Sequence, residues 1–156
     1  MVMNTEDAVT DLVLETFRLN GRLLVSGDAL VADLGLTSAR WQVLGAMALS
    51  PVPLSVAQIA RNMGLTRQAV QRLVNEMQGD GLVRLAPNPH HQRAKLVVLS
   101  ATGKTAFAAA MRRQSAWANE LAAGLGIKQI ETAAATLRRI RQRLDDRTEN
   151  GDNNAQ

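Results

Sequence analysis

Cysteine and tyrosine are absent from this 156-residue chain, and its aromatic residues are Phe17, Trp41, Phe107 and Trp117 alone. Without cysteine there is no disulfide framework, no thiolate zinc site and no thiol redox chemistry. So few rings argue against single-stranded nucleic acid as a partner, because such strands stack their bases on exposed aromatics. No window approaches the ~18 uninterrupted apolar residues that mark a membrane-spanning helix. Met1-Val2-Met3-Asn4 is not a basic region leading into an apolar core, so no secretory signal is expected, and the expected location is cytoplasmic. Histidine is confined to the adjacent pair His90 and His91, the carboxylates are scattered, and no glycine-rich phosphate loop occurs. These gaps predict no catalytic site, no metal and no cofactor, since each needs convergent side chains at a defined spacing.

What the chain does have is apolar material, 46% of its residues, enough for the core of one globular domain over residues 1–147. Its middle carries the sharpest local signals. Ser55 stands before Val56-Ala57-Gln58, so its hydroxyl can accept the Gln58 N–H while the Gln58 amide reaches back, a capping box that opens a helix over 55–62. Gly64 follows at the position where a helix ends in left-handed backbone, and Thr66 then caps a second helix over 67–78. Behind these come two short apolar runs, 82–85 and 95–99, joined by nine residues that include Pro87, Pro89, His90, His91 and Arg93. Helix, glycine turn, helix and then a hairpin with a polar tip is the order of a winged helix-turn-helix.

The second helix has two faces of different chemistry. Val70, Leu73, Val74 and Met77 recur at i, i+3, i+4 and i+7 and predict a buried stripe. Gln68, Gln71, Arg72 and Asn75 repeat that spacing on the other side, with Arg67 just before them. A solvated helix face ordinarily mixes Glu and Lys; this one holds amides and arginine. Arg can form two hydrogen bonds to guanine O6 and N7, and Gln or Asn two to adenine N6 and N7, so direct base readout is expected. Charge agrees. Residues 61–113 hold nine Lys or Arg against Glu76 and Asp80, a net +7, whereas residues 1–60 hold three Arg against six acids, a net −3. A polyanion would meet the middle of the chain.

The flanks read as helices. Thr5 with Glu6 and Asp7 opens one that keeps an apolar face through Leu24 and is expected to end near residue 26, before Gly27-Asp28 and Gly35. Thr37 caps 38–49, which contains Trp41, and Pro51 and Pro53 connect it to the central unit. Ser100 caps a long helix to about Ala123, broken by Gly124-Leu125-Gly126. Ile127, Ile130, Ala134, Leu137, Ile140 and Leu144 then form a narrow apolar seam, suited to packing on its own domain or on a second copy of the chain. From Thr148 to the end, 148–156, the composition predicts a disordered tail.

Three stretches carry a family resemblance: LTSARWQVLGAM at 36–47, LSVAQIARNMGLTRQAVQRLVNEMQGDGLVRL at 54–85 and RAKLVVLSATGK at 93–104. They resemble the MarR family of bacterial transcription regulators. The resemblance implies a mainly α fold with a small β-hairpin wing, its winged helix-turn-helix over about 38–100. It also implies a homodimer joined through helices at about 5–26 and 101–147, and double-stranded DNA with a palindromic operator as partner. Release by a small ligand, often of repressors, is a further implication. The residues expected at DNA are Ser55, Thr66, Arg67, Gln68, Gln71, Arg72, Asn75, Arg93 and Lys95. One departure stands at the wing tip, where the family usually carries Asp two residues before the arginine matched by Arg93 and this chain has His91. The implied ligand site lies near the first two helices, where Arg18, Arg22, Arg40 and Trp41 could meet an aromatic or anionic molecule. The alternative is that Trp41 is core and the arginines pair with nearby acids. The competing class is a helical protein-interaction module that keeps the fold without specific DNA binding. Exposed Leu, Met or aromatic residues on the 67–78 helix would mark it.

Overall fold

A computed structural model describes residues 2–153, with side chains to residue 148. The chain packs as two compact units, residues 1–115 and 116–156. The first unit opens with α1 (Thr5–Val31), capped by Asn4, whose side chain accepts the Asp7 N–H at 2.8 Å. A single 3-10 turn (Ala32–Leu34) and the left-handed Gly35 end it. There follow α2 (Ser38–Leu49), β1 (Leu54–Ser55), α3 (Val56–Met63), α4 (Arg67–Gly79), β2 (Val83–Ala86), β3 (Leu96–Leu99) and α5 (Ala101–Ala122), whose end passes into the second unit.

The expected break at Gly27-Asp28 does not occur; α1 continues through both residues to Val31. The reason lies ten residues further on. Ser38 Oγ packs so tightly against Gly27 that a Cβ there would have to displace it, and it donates to the Leu24 carbonyl at 2.7 Å. Asp28 accepts the Ser38 N–H at 2.7 Å and so supplies a cap to α2. Gly27 is a contact point between two helices, and α1 ends at Val31, before the 3-10 turn that closes at Gly35.

The hairpin gains a strand that the periodicity did not show. The sheet is antiparallel in the order β1-β3-β2, with Leu54 opposite Val97 on one side of β3 and Val83 opposite Leu99 through Ala86 opposite Leu96 on the other. Its apolar side closes over the helices. Val31, Leu36, Val43, Leu44, Leu54, Ile59, Val70, Val74, Met77, Leu82, Val83, Val97 and Ala110 form one continuous buried cluster. The stripe of α4 lies within it as predicted, each such side chain contributing about 1.5–3 kcal/mol relative to exposure. That burial fixes the rotation of α4 and turns its amide-and-arginine face outward.

Further links hold the unit together. Arg113 of α5 donates to the Leu30 carbonyl at 2.8 Å and forms a forked pair with Asp33. The guanidinium hydrogen bond holds the Asp33 carboxyl below its ordinary range. At the start of α5, Ser100 Oγ accepts the Gly103 N–H at 3.0 Å, the predicted cap, and donates to the Gly81 carbonyl at 2.6 Å.

The second unit holds the end of α5, the turn at Gly124 and α6 (Ile127–Asn153). Gln129 Oε1 accepts the Gly126 N–H at 3.0 Å and closes the helix start. Ile127, Ile130, Leu137 and Leu144 are exposed along α6, and Ala134 and Ile140 are half-buried. The backbone stays helical past Thr148 to Asn153, where composition alone predicted disorder from 148; the last three positions of that predicted tail lie outside the described residues. Among the described residues no helix is long and apolar enough to cross a membrane.

Candidate nucleic-acid interface

Local chemistry sets the geometry of α3 and α4. The capping box forms in full: Gln58 N–H to Ser55 Oγ at 3.4 Å and Ser55 N–H to Gln58 Oε1 at 2.9 Å. Gly64 has φ 65°, backbone that costs glycine little, and the Leu65 N–H returns to the Ala60 carbonyl at 3.0 Å. Thr66 Oγ1 accepts the Ala69 N–H at 3.1 Å and starts α4 within two residues of that turn. Side chains thus cap the starts of both helices, and backbone N–H groups at the left-handed Gly64 close the end of α3, so the turn is built from neighbouring residues.

Gln68, Gln71, Arg72 and Asn75 are all exposed on α4, as is Arg67 at its first position. Gln71 Nε2 donates to Asn75 Oδ1 at 2.8 Å, one turn along the helix. That bond holds the two amides side by side and leaves Gln71 Oε1 as an acceptor and Asn75 Nδ2 as a donor.

Beside this face runs a groove of about 490 Å³. The start of α3 (Ser55, Val56, Ala57) forms its floor, Arg67, Gln68 and Gln71 one wall, and Leu85, His91, Arg93, Ala94 and Lys95 of the wing the other. Six of the nine residues expected at DNA therefore meet in one concavity. Thr66 stands at the mouth of α4 with its hydroxyl used as a cap, while Arg72 and Asn75 extend the surface further along α4. Ser55 is a partial correction: it lies on the groove but is only 6% exposed, and its hydroxyl is taken by the capping box. It shapes the floor and presents no side-chain donor. Val56 and Ala57 were not anticipated, being apolar. The available signal was their position just after the cap, where backbone N–H groups lack intrahelical partners and favour anions.

The wing tip is closed by its own side chains. Asn88 Nδ2 donates to the Ala94 carbonyl at 2.8 Å and Asn88 Oδ1 accepts the His90 N–H at 3.0 Å. His91 Nδ1 accepts the Ala94 N–H at 3.2 Å. The ring thus orders the backbone next to Arg93, while Arg93 and Lys95 stay exposed on the groove.

The residues considered for a ligand are not brought together in this way. Arg40 donates to Asp80 at 2.7 Å and to the Gly35 carbonyl at 3.2 Å, with Glu76 at 3.7 Å. Trp41 is half-buried and packs against the core cluster. For these two the structure supports the alternative of arginine pairing and a core tryptophan. Arg18 pairs with Glu15 on the exposed surface of α1, where Arg22 is also exposed.

Two helices set by a glycine turn, the second packed through one stripe and open along the other, with a three-stranded wing beside it, define a winged helix-turn-helix protein. The chain belongs to the MarR family, whose sequence profile matches residues 34–94. It is 37% identical over 134 residues to the uncharacterized protein Rv2011c of Mycobacterium tuberculosis, covering 86% of this chain and 92% of that one. Among solved structures, the M. tuberculosis transcriptional regulator MosR in complex with DNA superposes with a TM-score of 0.71 at 24% identity, over 85% of this chain and 96% of MosR. CouR from Rhodococcus jostii, bound to p-coumaroyl-CoA, superposes with a TM-score of 0.75 at 23% identity, over 83% and 91%. Both structural likenesses speak to the fold, and the fold agrees with that read from the helix-turn-helix and wing signals.

Proposed function

We propose that this protein is a sequence-specific DNA-binding transcription regulator, a repressor that acts as a homodimer on a pseudo-palindromic operator. The observation that carries the reading is the outward face of α4, Gln68, Gln71, Arg72 and Asn75. It is held in register by a buried stripe, with Arg67 beside it on α4 and Arg93 and Lys95 on the wing across the groove. In this reading α4 enters the major groove and its amides and Arg72 read base edges, while the groove cations and the backbone at the start of α3 hold phosphates. No large apolar side chain stands on the α4 face, which disfavours a protein-interaction module in the same fold. MosR, described with DNA, supports the reading by likeness of fold.

Dimerisation is supported by two helices with exposed apolar residues. On α1, Phe17 is 71% exposed, with Val13 and Leu14 nearby in sequence; on α6, Leu144 is 58% exposed in the predicted seam. Exposed apolar residues on one helix are where a partner chain would pack. A second copy would also place two α4 helices about one DNA turn apart, roughly 34–36 Å. A small anionic or aromatic effector that lowers operator occupancy completes the proposal. CouR, described with p-coumaroyl-CoA, supports that element. Of the arginines expected there, Arg22 is the one with no ion pair among the described residues, since Arg18 pairs with Glu15 and Arg40 is engaged by α4.

The test is selection of duplexes from a random library by the wild-type protein, followed by titration of the selected duplex and of random DNA. Gln68→Ala and Arg72→Ala should each weaken the selected duplex more than random DNA, by about 1–3 kcal/mol for a lost bidentate contact. Equal losses on both would reduce the α4 face to phosphate contacts and overturn the assignment.

A further inference from the structure

Glu76 and Asp80 are the only carboxylates between Arg61 and Arg113, and they stand in the last turn of α4 and at its end. A single guanidinium from another helix takes up both. Arg40, in the first turn of α2, has Nη1 2.7 Å from Asp80 Oδ2 and 3.2 Å from the Gly35 carbonyl oxygen, and Nη2 3.7 Å from Glu76 Oε2. Its side chain is only 17% exposed, against 48% for Glu76 and 57% for Asp80. A largely covered arginine anchored to a backbone carbonyl is a fixed charge, and it sets where the two more exposed carboxylates rest.

The consequence falls on Arg72. Glu76 follows it by four residues, the spacing at which opposite charges on one helix meet. Among the described residues no ion pair joins them, because Glu76 is turned toward Arg40. Left to itself, Glu76 would hold the guanidinium that the α4 face offers to a base. Glu76 and Asp80 would also set two negative charges close to the phosphates.

We propose that Arg40 is a positioning residue of the α4 face: by holding Glu76 and Asp80 it leaves Arg72 available to nucleic acid and preserves the positive field of residues 61–113. The inference rests on the DNA-binding reading above. It places a determinant of DNA affinity on α2, outside the groove and outside the α4 surface.

Full-length proteins are titrated against the duplex selected by wild type, and against random DNA, at 50 and 300 mM salt. Arg40→Ala should weaken the selected duplex by about tenfold at low salt, the scale of a compromised guanidinium contact. The deficit should shrink at high salt, where the uncovered carboxylates are screened. Arg40→Lys keeps the charge without the fork and should fall between the two. Adding Glu76→Gln and Asp80→Asn to Arg40→Ala should return affinity to within about twofold of wild type or better, since the charges that Arg40 held are gone. Unchanged binding by Arg40→Ala at both salts would overturn the proposal. So would a triple variant as weak as Arg40→Ala, because the contact would then be a packing strut. Wild-type protein that binds neither duplex at micromolar concentration would instead sink the DNA-binding reading, and this inference with it.

Discussion

Replacing Gly103 by alanine should destabilise the protein although alanine is the better helix former. Gly103 lies in the first turn of α5 and is buried. A Cβ there would be driven into the Leu82 carbonyl oxygen, 3.0 Å from its carbon and 3.2 Å from Leu99 Cδ2. The carbonyl cannot retreat cheaply. It accepts the Ser100 N–H at 3.1 Å, while the Leu82 N–H is tied to the Met77 carbonyl at 2.9 Å. Relief requires α5 to move off the turn between α4 and β2, straining the Ser100 bonds to Gly81 and Gly103 as well. Overpacking of this kind costs about 1–3 kcal/mol, and one weakened hydrogen bond about 1 more. Helix propensity returns at most about 1 kcal/mol, so a net loss of about 1–3 kcal/mol is expected. With a urea m-value of about 1–3 kcal/mol/M, the unfolding midpoint should fall by roughly 1 M at fixed protein concentration. Gly79→Ala is the matched control: it ends α4 with open space around it, and should hold or raise stability by about 0.4–1 kcal/mol. A Gly103→Ala midpoint equal to or above wild type would refute the argument that the Leu82 carbonyl requires glycine.

Acid should expose the link between Asp33 and Arg113. The hydrogen bond from Arg113 lowers the Asp33 pKa from its ordinary 3.8, so its contribution is fully present above that value and is lost as pH falls through the lower folded value. The midpoint difference between wild type and Asp33→Asn should therefore be constant near neutrality and close below about pH 4; a difference that grows on acidification would show the sign to be wrong. Phe17→Asp and Leu144→Asp test assembly. Both residues are exposed within the chain, so a monomer should tolerate the charge, whereas a dimer built on either row should dissociate. Sedimentation at micromolar concentration showing wild type and both variants with the same dimeric mass would place the interface elsewhere.

Much of the interface was legible in the sequence because the forces that build it act over a few residues. A serine three positions before a glutamine, a glycine after the last apolar residue and a threonine before the next helix each satisfy backbone groups next to them. A 3.6-residue period then decides which side of α4 is buried. These features set the two helices, the turn and the chemistry of the outward face. What the tertiary structure alone decided depends on residues far apart in sequence. Leu54 and Ser55 form a strand because β3 offers them an edge 41 residues later, and two residues carry no periodicity of their own. Gly27 continues a helix because Ser38 packs on it, although glycine and aspartate in sequence read as a stop. Ser55, Gln68 and Arg93 line one groove because β3 pairs with strands from both sides of α3 and α4. Arg40, expected near a ligand, is taken up by Asp80 and Glu76, an ion pair whose partners meet only when α2 packs on α4. Capping and helical periodicity are local and can be read from neighbours; close approach, strand pairing and charge partnering depend on distance in space, which the order of residues does not contain.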